Sequence, residues 1–180
     1  MTENRQAILL AVGGGIAAYK SAIVCSRLVQ DGFDVRTAMT RSATEFLGTA
    51  TLAALSGKPV ATDTFDSAHP LSSHIELSDG LDLIIVAPAT ANLVAKFAAG
   101  VADDLLSTVY LQASCPVLIA PAMSLAMWDK PSVQRNIRQL ESDGCHVVGP
   151  DVGWLSCRLQ GAGRMSEPEK IIQAAKDLIS

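Results

Sequence analysis

The sequence predicts an α/β fold in which a parallel sheet is flanked by helices on both faces. Three observations carry this. Short, continuously apolar runs such as Leu83-Ile84-Ile85-Val86 have the β-branched character of strands buried on both faces. They alternate with segments of helical periodicity, the pattern that right-handed βαβ units produce. Two of them end abruptly in small-residue turns from which a helix begins, Gly13-Gly14-Gly15 and Ala87-Pro88-Ala89-Thr90-Ala91-Asn92. At 180 residues, 49% of them hydrophobic, the chain suits a single domain, 1–180, with a core of its own.

Ala7 to Val12 is the first apolar strand. The glycines after it open a helix to about Gln30, with Ile16, Tyr19, Ile23 and Leu28 at helical spacings, and Asp31-Gly32 stops it. Phe33 to Met39 reads as the second strand. Thr40, Ser42 and Thr44 offer caps for a second helix through Phe46, continued by Leu52 to Ser56. The stretch from Gly57 to Asp79 is less regular, carries His69 and His74, and has the length of a functional loop. The run from Leu81 is the next strand, and Ala91 to Ala99 the helix after it. Gly100 breaks the chain, and Asp103-Asp104 start a helix through Leu111. Pro116 to Ala120 and Cys145 to Val148 are the remaining strands, Ser132 to Ser142 the helix between them, and Glu167 to Ile179 a closing amphipathic helix. There is no repeat or low-complexity tract.

Composition removes several function classes. A net charge of −4, without a long block of either sign, gives no footprint for nucleic acid or an anionic membrane. Met1 to Gln6 lead straight into a strand, with neither the apolar core of a signal peptide nor a membrane-spanning run, so a cytoplasmic protein is expected. Cys25, Cys115, Cys145 and Cys157 are widely spaced and form no CxxC pair; they read as reduced thiols, and no metal site is expected.

In an open parallel sheet ligands sit at the carboxyl ends of strands, which makes the two small-residue turns the candidate site. Gly13-x-Gly15-x-x-Ala18 fits a loose glycine fingerprint that lets backbone N–H groups and a helix N-terminus approach a phosphate, although a tight turn without a ligand uses the same residues. A ribose-binding NAD site wants an acidic residue near the end of the second strand, where this chain has Met39-Thr40-Arg41-Ser42. Arg41 suits an NADP phosphate. Thr40 and Ser42 suit one terminal phosphate beside the glycine loop, as in FMN. The Ala87 to Asn92 turn then lets a flat ring approach the backbone, with Thr90 and Asn92 addressing its edge; either also suits a plain helix cap.

Several motifs occur together and in order: Gly14-Gly15-Ile16-Ala17-Ala18-Tyr19-Lys20, Thr40-x-x-Ala43-x-x-Phe46, His74-Ile75-x-Leu77, the Ala87 to Asn92 turn, Ala102-Asp103-Asp104-Leu105-Leu106, Pro121-Ala122-Met123 with Met127-Trp128, and Gly163-Arg164-Met165. From about residue 7 to 175 the chain thereby resembles the FMN-dependent cysteine decarboxylases, a flavoprotein family, and within it the branch acting on phosphopantothenoylcysteine. The resemblance implies a Rossmann-like three-layer fold that binds FMN through Gly14, Gly15, Ile16, Ala17, Thr40, Ser42, Pro88, Ala89, Thr90, Ala91, Asn92 and Asp103. It implies a homotrimer or homododecamer with FMN near a subunit interface. It also implies a small cysteine-containing substrate contacted by Met123, Ser124, Met127 and Arg164: 4′-phosphopantothenoylcysteine loses carbon dioxide to give 4′-phosphopantetheine, a step of coenzyme A biosynthesis.

A simple carboxylate resists losing carbon dioxide because the electrons left on carbon have no sink. Oxidising the neighbouring CH₂–SH to a thioaldehyde, with FMN as hydride acceptor, supplies one, and re-reduction of the resulting enethiol closes the cycle without net redox change. By the resemblance, His74 serves at oxidation and decarboxylation. Cys157, on a mobile loop that closes over the substrate, helps protonate the reduced enethiol, since a thiol can release its proton near neutral pH. Taken singly, a loop histidine is more often a structural hydrogen-bonding residue and a lone cysteine a small buried hydrophobe. His69 and His146 have no comparable motif around them. The chain departs from the family pattern twice. Ser156-Cys157-Arg158-Leu159 stands where the family reads Ala-Cys-Gly-Asp, and Ser124 stands where it has an Asn associated with holding the substrate carboxylate. A hydroxyl is shorter than an amide and donates one hydrogen bond rather than two. Met123, Met127 and Trp128 also suit core packing, and Asn136 a solvated helix position. Competing readings are a decarboxylase of a peptide's C-terminal cysteine, a flavoprotein that regulates a protein partner without turnover, and an NADP oxidoreductase.

Overall fold

The computed structural model describes residues 5–65 and 73–180. Its main sheet has the strand order β3-β2-β1-β4-β5-β6, with β1 at Ala7–Val12, β2 at Asp34–Met39, β3 at Val60–Ala61, β4 at Leu83–Ala89, β5 at Val117–Pro121 and β6 at His146–Val147. Every pairing in it is parallel. The helices are α1 (Ala18–Gln30), α2 (Thr49–Ser56), α3 (Ser73–Ser78), α4 (Ala91–Ala99), α5 (Leu105–Gln112), α6 (Leu125–Trp128), α7 (Pro131–Ser142) and α8 (Pro168–Ile179). Among the described residues no helix is long and apolar enough to cross a membrane.

The central strands β1 and β4 are buried at every position, which is why their sequences are continuously apolar rather than alternating. Successive side chains nevertheless serve different cores, as a period of two requires. Ile8, Leu10 and Val12 pack with Val24, Leu28, Leu52 and Ile171 of α1, α2 and α8. Leu9 and Ala11 pack with Leu77, Leu93, Leu105 and Ile137 of α3, α4, α5 and α7. The predicted three-layer α/β architecture is the one observed.

From β1 the chain builds outward through β2 and β3, then crosses back to place β4 on the other side of β1. The carboxyl ends of β1 and β4 therefore lie side by side while the loops leaving them diverge, and the crevice between is where an open sheet takes ligands. Two bonds fix this point. Gly13 N donates to the Pro88 carbonyl at 3.1 Å, and the buried Ser21 hydroxyl of α1 donates to the Ala87 carbonyl at 2.5 Å.

Several elements differ from the expectation. The second helix is split into a 3₁₀ turn over Ala43–Glu45 and α2, with Gly48 extended between them. The irregular stretch holds β3 and α3, whose two and six residues are too short to show a period. His69 lies outside the described residues. β4 continues through Pro88 to Ala89, with its register to β5 shifting between Val86 and Ala89, where a proline has no N–H for the ladder. The loop expected around Cys157 is an antiparallel hairpin, β7 (Asp151–Trp154) with β8 (Gln160–Arg164). The glycines of Gln160-Gly161-Ala162-Gly163-Arg164 hide β8 from any hydrophobic pattern.

Candidate functional site

Two clefts meet at the switch point. The first, of about 410 Å³, is walled by the glycine loop and start of α1, by Met123, Ser124 and Met127 after β5, and by the hairpin residues Trp154, Leu155, Ser156 and Arg164. The second, of about 620 Å³, is more polar. It is lined by Thr40, Arg41 and Ser42 after β2, Thr62 to Phe65 after β3, Asn92 and Lys96 of α4, and Asp103 and Asp104. Gly14, Thr90, Ala91 and Met127 border both, so the two are halves of one crevice.

The glycines have separate reasons to be there. A Cβ on Gly13 would strike the Pro88 carbonyl and lie 2.9 Å from Leu93 Cδ1. One on Gly14 would strike Ser42, whose backbone carbon is 2.7 Å away. Close approach of protein to protein requires those two, the tight-turn role that the same residues also suit, and Gly14 still borders both clefts. Gly15 has only Thr90 Cγ2 nearby, at 3.8 Å, and faces open cleft. The Ala17 cap of α1 has no side-chain acceptor, and the Ala18 and Lys20 N–H groups of the first turn bond back to the Gly15 and Ala17 carbonyls at 2.9 and 3.0 Å. Ile16 and Ala17 both line the first cleft.

Thr90 is the helix cap that the sequence left as one option: its hydroxyl accepts from Leu93 N at 3.4 Å, and its side chain also borders both clefts. Thr40 has the same double use, accepting from Ala43 N at 3.1 Å. Ser42 and Asn92 are exposed in the second cleft. Pro88 and Ala89 lie beneath the crevice, buried, and line neither cleft.

Asp103 is on the second cleft wall as an ion-pair partner. Lys96 Nζ stands 2.6 Å from both Asp103 and Asp104. Asp104 also forms a capping box with Ser107, whose amide bonds Oδ1 at 2.9 Å. Burial acts to raise the Asp104 carboxyl, but the bonds from Lys96 and Ser107 outweigh it and hold it below its ordinary 3.8. Burial likewise acts to lower the Lys96 ammonium, and its two carboxylates outweigh that and hold it above 10.5.

Met123, Ser124, Met127 and Arg164 come together in the first cleft. Met123 N donates to the Gly163 carbonyl at 2.9 Å, pinning the base of the hairpin, and a Cβ on Gly163 would strike Met123 O. Ser124 opens α6 with its backbone carbonyl and makes no side-chain cap, so its hydroxyl is not committed to the helix. Lys20 is a site residue that the sequence reading did not single out. It is 4% exposed, donates to the Met165 carbonyl at 3.0 Å, and stands 3.1 Å from Glu167 Oε1, to which Arg164 is also bonded at 2.5 Å. Lys20 and Arg164 are the charged residues of the first cleft. The signal for Lys20 was its place four residues before Val24 and eight before Leu28, on the buried stripe of α1.

Among the described residues that line the two clefts, neither catalytic candidate is found. His74 is half-buried in the first turn of α3 and lines neither cleft. Cys157 is exposed at the hairpin tip, next to Leu155 and Ser156 on the cleft wall. Cys25 is a structural thiol, pushed by burial up to about 11. Among the described residues no three His, Cys, Asp or Glu are grouped to hold a metal ion.

Fold and site define an α/β protein with a bipartite ligand crevice at its topological switch point. The chain belongs to the Flavoprotein family, whose model matches residues 1–180. It is 49% identical over 177 residues, 98% of its length, to the coenzyme A biosynthesis bifunctional protein CoaBC of Bacillus subtilis (strain 168), and 45% identical over 172 residues to that of Mycobacterium tuberculosis (strain ATCC 25618 / H37Rv). It spans 43% and 41% of those relatives' lengths. Among solved structures it is similar to a cysteine-to-serine mutant of PPC decarboxylase complexed with pantothenoylaminoethenethiol, with TM-score 0.87, 28% identity, and coverage of 96% of this chain and 97% of that one. It is also similar to the FMN-dependent cysteine decarboxylase SpaF, with TM-score 0.79, 35% identity, and coverage of 96% and 98%.

Proposed function

We propose that residues 1–180 form a single FMN-binding domain that decarboxylates 4′-phosphopantothenoylcysteine to 4′-phosphopantetheine, the carboxy-lyase step of coenzyme A biosynthesis. The observation that carries this is the bipartite crevice: a polar, hydroxyl-lined half joined through Gly14, Thr90 and Ala91 to a largely apolar half that holds two cations. The names of the CoaBC relatives and of the PPC decarboxylase structure support the substrate.

The residues fit FMN. Thr40, Ser42 and the uncapped start of α1 at Gly14, Gly15, Ile16 and Ala17 offer donors to a terminal phosphate. Thr90, Ala91, Asn92 and Asp103 would hold the ring system, with Pro88 and Ala89 buried beneath them. When bound, FMN supplies the hydride acceptor and donor. Met123 and Met127 wall the substrate. The free hydroxyl of Ser124 donates to its carboxylate, and Lys20 with Arg164 answers its phosphate. His74 assists oxidation and loss of carbon dioxide, and Cys157 gives a proton to the enethiol when the hairpin tip folds over the cleft. Because His74 lines neither cleft of its own chain, its role requires a second copy to complete the site, as a homotrimer or homododecamer would. Reduced thiols suit the cytoplasm, where we place the protein.

Ser124 and the Arg158-Leu159 turn favour one second reading, decarboxylation of a peptide's C-terminal cysteine. The variants His74→Asn and Cys157→Ser test the proposal. The first is expected to retain FMN and release no carbon dioxide. The second is expected to release carbon dioxide but accumulate a product two hydrogens lighter than 4′-phosphopantetheine. Normal turnover by either removes the role assigned to that residue, and a single monomer species in light scattering removes the shared site.

A further inference from the structure

We propose that Arg36 is a positioning residue for His74, an inference that rests on the reading of His74 given above. Arg36 is a charged residue in the middle of a parallel strand, flanked by the buried Val35 and Thr37 and paired in register with Leu9 of β1. Its side chain leaves the sheet toward the end of α3. There Nη1 donates to the carbonyls of Asp79 at 2.7 Å, Glu76 at 3.1 Å and Leu77 at 3.4 Å. A terminal guanidinium nitrogen carries two hydrogens, so the two shorter bonds are full and Leu77 shares in them.

The last carbonyls of a helix lack partners within it and carry the negative end of its dipole, so a cation held there both satisfies and anchors the helix. α3 needs such an anchor. Six residues do not make a helix that stands on its own propensity. Leu77 buries its side chain in the core, α3 packs on α5, and the fully buried Ser73 hydroxyl donates to the Thr64 carbonyl at 3.3 Å. Arg36 adds a bond set that comes from the main sheet, and so fixes the height and rotation of the helix against β2. His74 is one residue into α3, and its ring goes where the helix goes. Arg36 touches neither cleft, so it acts on chemistry only through α3.

The test uses the FMN-loaded chain and compares Arg36→Gln, Arg36→Lys, His74→Asn and the Arg36→Gln/His74→Asn double variant in substrate-driven flavin reduction, with hydrogen–deuterium exchange of each. Misplacing a catalytic group by about an ångström costs roughly 10²-fold in rate, which is the loss expected for Arg36→Gln with FMN affinity unchanged. Exchange should rise in residues 73–80 and stay at the parent level in β1 and β4. The double variant should be no slower than His74→Asn, and Arg36→Lys, which keeps the charge and can reach one carbonyl, should fall between parent and Arg36→Gln. A double variant that loses the product of the two single losses, or exchange that rises across the whole sheet, makes Arg36 an ordinary structural residue and overturns the proposal. Should Arg36→Gln fail to fold, Arg36→Lys decides alone: parent-rate reduction overturns it, and slow reduction with faster exchange confined to 73–80 supports it. Parent-rate reduction by His74→Asn overturns the role of His74 and this inference together. Slow His74→Asn beside parent-rate Arg36 variants overturns only this inference.

Discussion

Alanine at Gly14 would place a Cβ against Ser42, 2.7 Å from its carbonyl carbon and 3.0 Å from Ala43 N. Both are backbone atoms, so relief requires moving the loop after β2 by several tenths of an ångström or more to reach ordinary contact near ~3.5 Å. Overpacking of this kind costs about 1–3 kcal/mol, offset by about 0.4–1 kcal/mol from the stiffer unfolded chain. A net loss of about 1–2 kcal/mol lowers the melting midpoint of a chain this size by roughly 2–8 °C. The same loop carries Thr40 and Ser42, so FMN affinity should weaken by about tenfold, equivalent to ~1.4 kcal/mol. Gly15→Ala is the control, because its nearest neighbour is Thr90 Cγ2 at 3.8 Å and its new methyl enters open cleft. It should melt at or slightly above the parent temperature while weakening FMN. Calorimetry of the two FMN-free variants separates them. Equal midpoints, or a Gly14→Ala protein as stable as the parent, would refute the assignment of Gly14 to loop packing.

Arg158 adopts φ +63° in the turn after Cys157, a conformation that costs a non-glycine residue about 1 kcal/mol, so Arg158→Gly should slow hydrogen exchange at the hairpin tip; faster exchange there contradicts the geometry. Lys96→Met removes bonds to two carboxylates and should destabilise by about 1.5–3 kcal/mol at neutral pH. The depressed Asp104 carboxyl contributes stability above its unfolded value, lost as pH falls through the folded one. The elevated Lys96 ammonium contributes below its unfolded value, lost as pH rises through the folded one. The variant's deficit in urea melts should therefore shrink below about pH 4 and above about pH 10.5, and a flat deficit contradicts the pairing. Ser124→Asn should raise turnover of the phosphopantothenoyl substrate, since an amide reaches farther and donates twice; a loss would mean the pocket is built around serine.

The layers of this fold were legible because buried strands and amphipathic helices write their periods directly into the chain, as Leu83 to Val86 and Ile171 to Ala175 do. The short elements were not. β3 and α3 span less than two turns or pleats of pattern, and β8 carries two glycines whose role, letting the hairpin lie on Met123 and Leu125, exists only in three dimensions. The crevice was legible as two small-residue turns at strand ends. What sequence could not separate was glycine needed by a ligand from glycine needed by Pro88 or Ser42. Nor could it show that Lys20 and Arg164 share Glu167, because residues 144 or more positions apart meet only through the packing of α1 against the segment before α8. His74 and Cys157 were recognised by motif, and neither lines the two clefts described for the single chain.

The central claim is tested most directly by the mass of the product formed when the FMN-reconstituted chain is given 4′-phosphopantothenoylcysteine alongside peptides ending in cysteine. Loss of carbon dioxide alone from the phosphorylated substrate, giving saturated 4′-phosphopantetheine with the flavin recovered oxidised and the peptides untouched, is the expected result. An unchanged phosphopantothenoyl substrate beside a decarboxylated peptide, or no loss of carbon dioxide from any of them, would contradict it.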